Sequence, residues 1–140
     1  MSAETIDHMG FVVKDAKATV EAFEKQFGVK GTIKKHEPEK VMLGVVTING
    51  IRLVFNEPYT DDTRWAKFLR ERGEGLEHMC FSNFNFDEMI DRAKKLGFTL
   101  TEDPINHKLV NGRRANFVSE KDMHITNIEF MEPSEDTEIH

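Results

Sequence analysis

Two histidines and one glutamate carry the chemistry this chain can do. His8 sits in Ile6-Asp7-His8-Met9-Gly10-Phe11 and His78 in Leu76-Glu77-His78-Met79-Cys80-Phe81. Both stretches run apolar, acidic, His, Met, small, Phe. Glu129 opens Glu129-Phe130-Met131-Glu132-Pro133, which mirrors the earlier Val54-Phe55-Asn56-Glu57-Pro58. Two imidazoles and one carboxylate are the ligand set of a divalent-metal site with positions left for water or substrate. A lone histidine facing a cavity is more often a hydrogen-bonded core residue. Here two occupy equivalent positions of a repeat, and a buried glutamate is costly unless a cation or strong donors satisfy it. The repeat therefore favours the metal reading.

The elements that must position these residues follow the same duplication. Residues 5–13 alternate with period two and predict a strand. Asp15 caps a helix to Phe27, with Ala16, Val20, Phe23 and Phe27 as its buried stripe and Gly28 as its stop. Residues 31–36 form a weak strand; Val41–Ile48 and Ile51–Asn56 form stronger ones, joined at Asn49-Gly50, a hairpin signal. A joint over 59–75 holds a short helix capped by Thr60, with Trp65, Phe68 and Leu69 as its apolar positions. The second half repeats the first: strand 76–82, helix 86–96 capped by Asn85 with Glu88 three residues on, then strands near 98–101, 113–118 and 125–131. The stretch from Glu102 to Gly112, with Pro104, His107 and Lys108, is where a substrate cover would sit. Such a long period, kept in order over several landmarks, means a duplicated supersecondary unit.

Alternation sorts the faces. Met9, Phe11, Met79 and Phe81 point to the helix side, as do Leu53, Phe55, Ile128 and Phe130. His8, Val54, His78 and Glu129 take the other side. A sheet curled on itself would gather His8, His78 and Glu129 in one concavity.

The bulk numbers narrow the classes. A chain of 140 residues is one domain's worth, and 39% hydrophobic residues with 11 Phe suffice for a core. A net charge of −6 argues against nucleic acid or an anionic membrane as partner. The start, MSAETIDHMG, lacks a signal peptide's basic and apolar regions, and one cysteine fits a reducing compartment; a cytoplasmic protein is expected. The tail from Ser134 to His140 is polar and expected to be loose. The other histidines, His36, His107, His124 and His140, have no repeat partner.

The repeat, the opening His, the Gly73-Glu74-Gly75-Leu76-Glu77-His78-Met79 stretch and the closing Ile128-Glu129-Phe130 resemble the vicinal oxygen chelate superfamily over residues 5–133. Within it the chain is most similar to methylmalonyl-CoA epimerases, through Trp65-Ala66-Lys67-Phe68-Leu69 and the glycine turn after it. The resemblance implies an α+β fold of two tandem βαβββ modules, curved and partly closed around a metal cavity. It implies a single domain over 1–133, made of module one (5–58), the joint (59–75) and module two (76–133), with 134–140 as a tail. Carried over by position, the family's ligands fall on His8, His78 and Glu129, around one divalent ion: Fe, Co, Ni, Mn or Zn. Epimerases and glyoxalases of this group usually add a Glu or Gln ligand four residues before the proline that closes the first half. This chain has Val54 there.

Three functions follow from the resemblance and its departure. The first is a metal-dependent isomerase or epimerase acting through an enolate, with Glu129 as the one confidently placed carboxylate. The second is a non-haem Fe(II) dioxygenase of the extradiol type, which suits a set of three ligands. The third is a metal-free binding or resistance protein. Four further residues are candidates to touch substrate or support the ligands. Asn56 shares the Val54 face, and Cys80 either meets substrate or simply packs. Asn127 either orients substrate or is a satisfied core amide. Arg113 and Arg114 follow the long stretch, and one of them, with Arg114 the candidate, could meet a phosphate or carboxylate. A small-molecule substrate and a homodimer are expected.

Overall fold

A computed structural model describes residues 5–102, 108–110 and 112–133. The fold is α+β, a mixed sheet of two successive βαβββ modules. Module one contains β1 (Thr5–Val12), α1 (Ala16–Phe27), β2 (Gly31–His36), β3 (Val41–Ile48) and β4 (Ile51–Pro58). After the joint helix α2 (Arg64–Arg72), module two contains β5 (Gly75–Ser82), α3 (Phe86–Leu96), β6 (Lys108–Val110), β7 (Arg113–Val118) and β8 (Asn127–Met131), with a short α4 (Glu120–Met123) before β8. The chain divides into two compact units. One is His8–Glu77, and the other joins Thr5–Asp7 to the described residues from His78 onward.

In the first unit the strands run in the order β2-β3-β4-β1. β1 lies parallel to β4, while β3 is antiparallel to both β2 and β4. The β3–β4 hairpin turns on Asn49 and Gly50, at φ 54° and 81°. A two-residue turn with both positions left-handed has the twist the strands require. Asp15 Oδ1 accepts from the Ala18 amide at 2.9 Å to start α1, and Gly28 ends it at φ 67°. α1 covers one face through Ala16 and Val20, packed on Val46 and Phe55 with Phe11 and Leu53 alongside. Two glycines let it approach closely: a Cβ at Gly31 would lie 2.5 Å from Val20 Cγ1, and one at Gly44 2.7 Å from Val20 Cγ2. α2 covers the other face, with Trp65, Phe68 and Leu69 against Val12, Val41 and Leu43.

The second unit repeats the plan in the order β5-β8-β7-β6, with β5 parallel to β8 and β7 antiparallel to its neighbours. Asn85 caps α3 by accepting from the Glu88 amide at 3.1 Å, and Gly97 ends it at φ 73°. Phe86 and Ile90 pack on Phe130, with Met89, Leu100 and Val118 around them. A cavity of about 230 Å³ lies on this helix face, lined by Phe81, Met89, Phe98, Val118, Ile128 and Phe130 among others.

Three expectations change. The joint helix is capped by Thr63, whose hydroxyl accepts from the Ala66 amide at 3.2 Å; Thr60 instead donates to Asp62. Phe27 is 56% exposed, stacked on Phe23 at the open end of the stripe. The strand predicted at 98–101 reduces to an isolated bridge between Leu100 and Val118, and the regular strand is β6. The backbone still follows β7, since Thr101 donates to Phe117 O and Ser119 to Thr99 O. The ladder is broken because Asn116 Oδ1 takes the Glu102 amide. Pro104, His107 and the tail from Ser134 lie outside the described residues. Among the described residues, no helix is long and apolar enough to cross a membrane.

Candidate metal centre

The second unit brings His78 and Glu129 together. Parallel pairing of β5 with β8 sets His78 opposite Asn127, Cys80 opposite Glu129 and Ser82 opposite Met131. All three positions of each strand share one face, away from α3. His78 Nε2 lies 3.5 Å from Glu129 Oε1, with the two residues 6% and 4% exposed. The Phe117 ring, from the strand beyond, meets the His78 ring edge-on at 5.4 Å. A nitrogen and a carboxylate oxygen held this close in a dry setting are the donor chemistry of a borderline divalent ion, whose charge would offset the buried carboxylate.

Cys80 lies at the same rung as Glu129 and is wholly buried, packed with Ala115 and Met131. Burial pushes its thiol well up from the ordinary value. The Glu129 and Asp7 charges and a hydrogen bond with Glu129 add to this, and Arg113 opposes it. Cys80 is therefore a packed, protonated thiol beside the carboxylate rather than a nucleophile.

Two more residues stand next to it: Asp7, which the sequence did not single out, and Arg113, the other of the two adjacent arginines. An Asp7 carboxylate oxygen comes within 4.8 Å of the Cys80 sulfur. Arg113 Nη1 lies 3.6 Å from Asp7 Oδ1, and Arg113 Nε donates to Glu132 O at 3.0 Å. Alternation back from Phe117 through Ala115 would have found Arg113; the same count sends Arg114 to the helix face. There Arg114 forks onto Asp87 at 2.9 and 3.3 Å, reaches Glu132 at 3.0 Å and lies 4.7 Å over the Phe86 ring. Its hydrogen bonds with Asp87 and Glu132 raise its affinity for the proton further. Arg114 thus braces α3 to β7 and lies on the opposite face of the sheet from His78. Asn127 Oδ1 accepts the Glu120 amide at 2.9 Å, a bond that fastens the start of α4.

In the first unit, β1 sets His8 opposite Arg52 on β4, Gly10 opposite Val54 and Val12 opposite Asn56. Val54 so holds in its module the rung that Glu129 holds in the other, two positions beyond the histidine. Asn56 is buried, and its amide donates to Phe11 O at 3.1 Å. One of its two N–H groups is thus engaged by the backbone of β1.

Residues 7–117 match the family described as the Glyoxalase/Bleomycin resistance protein/Dioxygenase superfamily. An uncharacterized protein, YqjC, from Bacillus subtilis (strain 168) is 25% identical over 132 residues, 94% of either chain. A solved methylmalonyl-CoA epimerase in complex with methylmalonyl-CoA and NH4+ superposes with a TM-score of 0.79 at 25% identity, covering 96% of this chain and 97% of its own. A Streptomyces coelicolor methylmalonyl-CoA epimerase variant in complex with 2-nitronate-propionyl-CoA gives 0.77 at 27% identity, covering 93% and 94%. With the paired modules, their matching rungs and a family match spanning most of its length, the chain belongs to the glyoxalase/bleomycin resistance/dioxygenase superfamily.

Proposed function

We propose that the protein is a divalent-metal-dependent isomerase of the epimerase type, acting on a small acyl thioester such as a CoA ester. The observation that carries this reading is likeness along nearly the whole chain to methylmalonyl-CoA epimerases at 25–27% identity. His8, His78 and Glu129 would hold the ion. Its chemistry is Lewis-acid polarisation of a carbonyl oxygen, which acidifies the neighbouring C–H. The chain's own residues do the rest. Glu129 is 4% exposed between Cys80 and Phe117 on the neighbouring strands, and a carboxylate in such surroundings would be a competent proton carrier at a carbon acid. A homodimer and a cytoplasmic location belong to the same reading.

One observation favours a second reading. β3 reads Val41-Met42-Leu43-Gly44-Val45-Val46-Thr47-Ile48 and brings no carboxylate, and Val54 cannot ligate. Three protein ligands suit Fe(II) and O2 chemistry of the extradiol kind. Protein purified without tag or chelator decides between them. Metal analysis comes first, followed by incubation with methylmalonyl-CoA in D2O under each metal. Deuterium entering the α-carbon supports the isomerase. No exchange with any of the five metals, and O2 uptake on a catechol with iron, would replace it by the dioxygenase.

A further inference from the structure

We propose that the cavity between α3 and its strands is a binding site for a neutral aromatic molecule of one or two rings. It lies on the helix side of the sheet, away from His78, and is separate from the metal centre.

The repeat explains how the space arises. Asp15 and Asn85 hold the same N-cap position on α1 and α3, so Phe23 on one helix answers to Ala93 on the other, and Phe27 to Gly97. Phe130 answers to Phe55, since Phe81 stands opposite it as Phe11 stands opposite Phe55. In module one the Phe23 ring packs on Phe55 at 5.2 Å and stacks on Phe27 at 5.8 Å. In module two both of those helix rings are missing, and Ala93 and Phe130 line the cavity instead. Module two carries its helix ring about two turns earlier, on Phe86, where α1 has Ala16. Phe86 packs on Phe130 at 5.3 Å from the other end of the helix and does not line the cavity.

Lining and size name the ligand. The walls include the rings of Phe81, Phe84, Phe98 and Phe130 and the thioethers of Met89 and Met123. Aromatic rings receive another ring edge-on or offset, and a thioether sulfur packs favourably on one. Of the lining residues only Arg92 and Glu129 carry charge. The Arg92 side chain is 62% exposed and bonds along the helix to Glu88 at 2.9 Å. Glu129 belongs to the strand between Ile128 and Phe130, and its carboxylate meets His78 on the other face. The cavity therefore offers apolar surface rather than a partner for charge. An apolar cavity of roughly 150 Å³ takes up benzene. This one measures about 230 Å³, room for a fused two-ring molecule. Unfilled, it forfeits the packing contacts that Phe23 supplies in module one, and a ligand ring restores them. Phe81, Met89 and Phe98 are only half-buried and Leu96 at the rim is 59% exposed, so a ligand enters without unpacking α3.

The test titrates indole, neutral and two-ringed, into the full chain and follows isotope-labelled methionine methyl resonances. Saturable shifts are expected at Met89 and Met123, which line the cavity, and none at Met42, which packs with the α1 cluster. Ala93→Phe puts into module two the ring that Phe23 gives module one, and should weaken indole by about tenfold or more. Equal affinity in Ala93→Phe, shifts at Met42 in place of Met89 and Met123, or no saturable binding by the wild type overturns the proposal. Should Ala93→Phe fail to fold, Ala93→Leu decides: weaker binding is expected, and unchanged affinity refutes the assignment. Repeating the titration in Zn(II) keeps this site apart from the metal centre. Indole affinity should not change, and competition between indole and Zn(II) would place the ring on the other face and overturn the proposal.

Discussion

Val54 stands opposite Gly10 across β1 and β4, at the rung where Glu129 stands opposite Cys80 across β5 and β8. One module brings a carboxylate to that rung, the other an isopropyl group. Val54→Glu should therefore add a ligand to the proposed ion and tighten Co(II) or Zn(II) binding at least tenfold, about 1.4 kcal/mol. Any O2-dependent turnover should fall because one open position closes. Calorimetric metal titration of the variant checks this, and an unchanged dissociation constant would mean that Val54 does not face the ion.

His78→Ala removes a nitrogen donor and leaves Glu129 buried without its neighbour. Metal bound per chain should fall to near zero in His78→Ala and Glu129→Ala alike, read by elemental analysis after dialysis. Thermal stability of the metal-free variants should change far less than metal content does. Retention of a full equivalent by both variants would place the ion elsewhere.

Glu132 is pulled two ways. Burial pushes its carboxyl up, but hydrogen bonds and charge from Arg114 outweigh this and hold it below its ordinary value of 4.5. A carboxyl held down by the fold contributes stability that is fully present above the unfolded value and lost as pH falls through the folded one. Denaturant melts should show a loss of stability between about pH 5 and pH 3. Arg114→Met should cost about 1 kcal/mol at pH 7 and flatten that acid limb. A limb equally steep in the variant would show that Arg114 is not its cause.

Gly31 marks the closest approach of α1 to the sheet. A Cβ there would stand 2.5 Å from Val20 Cγ1 and 2.9 Å from Val45 O. The backbone oxygen cannot move aside as a flexible side chain can. Gly31→Ala should cost about 1–3 kcal/mol by overpacking, measured by urea unfolding. With Val20→Ala the two losses should be less than additive, since one change relieves the other's clash.

The sequence by itself determined the duplicated modules, both long helices with their caps, the Asn49-Gly50 hairpin and the face each strand turns to its helix. These rest on interactions a few residues long, such as Asp15 to Ala18, Asn85 to Glu88, and glycines at left-handed φ. They rest equally on a two-residue alternation that pairing cannot alter without moving the apolar set out of the core. It also carried His78 and Glu129 to one face, because their rungs repeat those of the first half. The tertiary structure alone decided that Thr63 rather than Thr60 caps α2, that Phe27 stays outside the core, and that Leu100 makes only an isolated bridge while Lys108–Val110 form the regular strand β6. It also decided that Asp7 stands against Arg113. The broken ladder and the arginine placements depend on partners far along the chain: Glu102 against Asn116, Arg114 against Asp87, Arg113 against Asp7. Local pattern is silent about such pairs, since a hydrogen bond across many residues leaves no periodic trace in the residues between them.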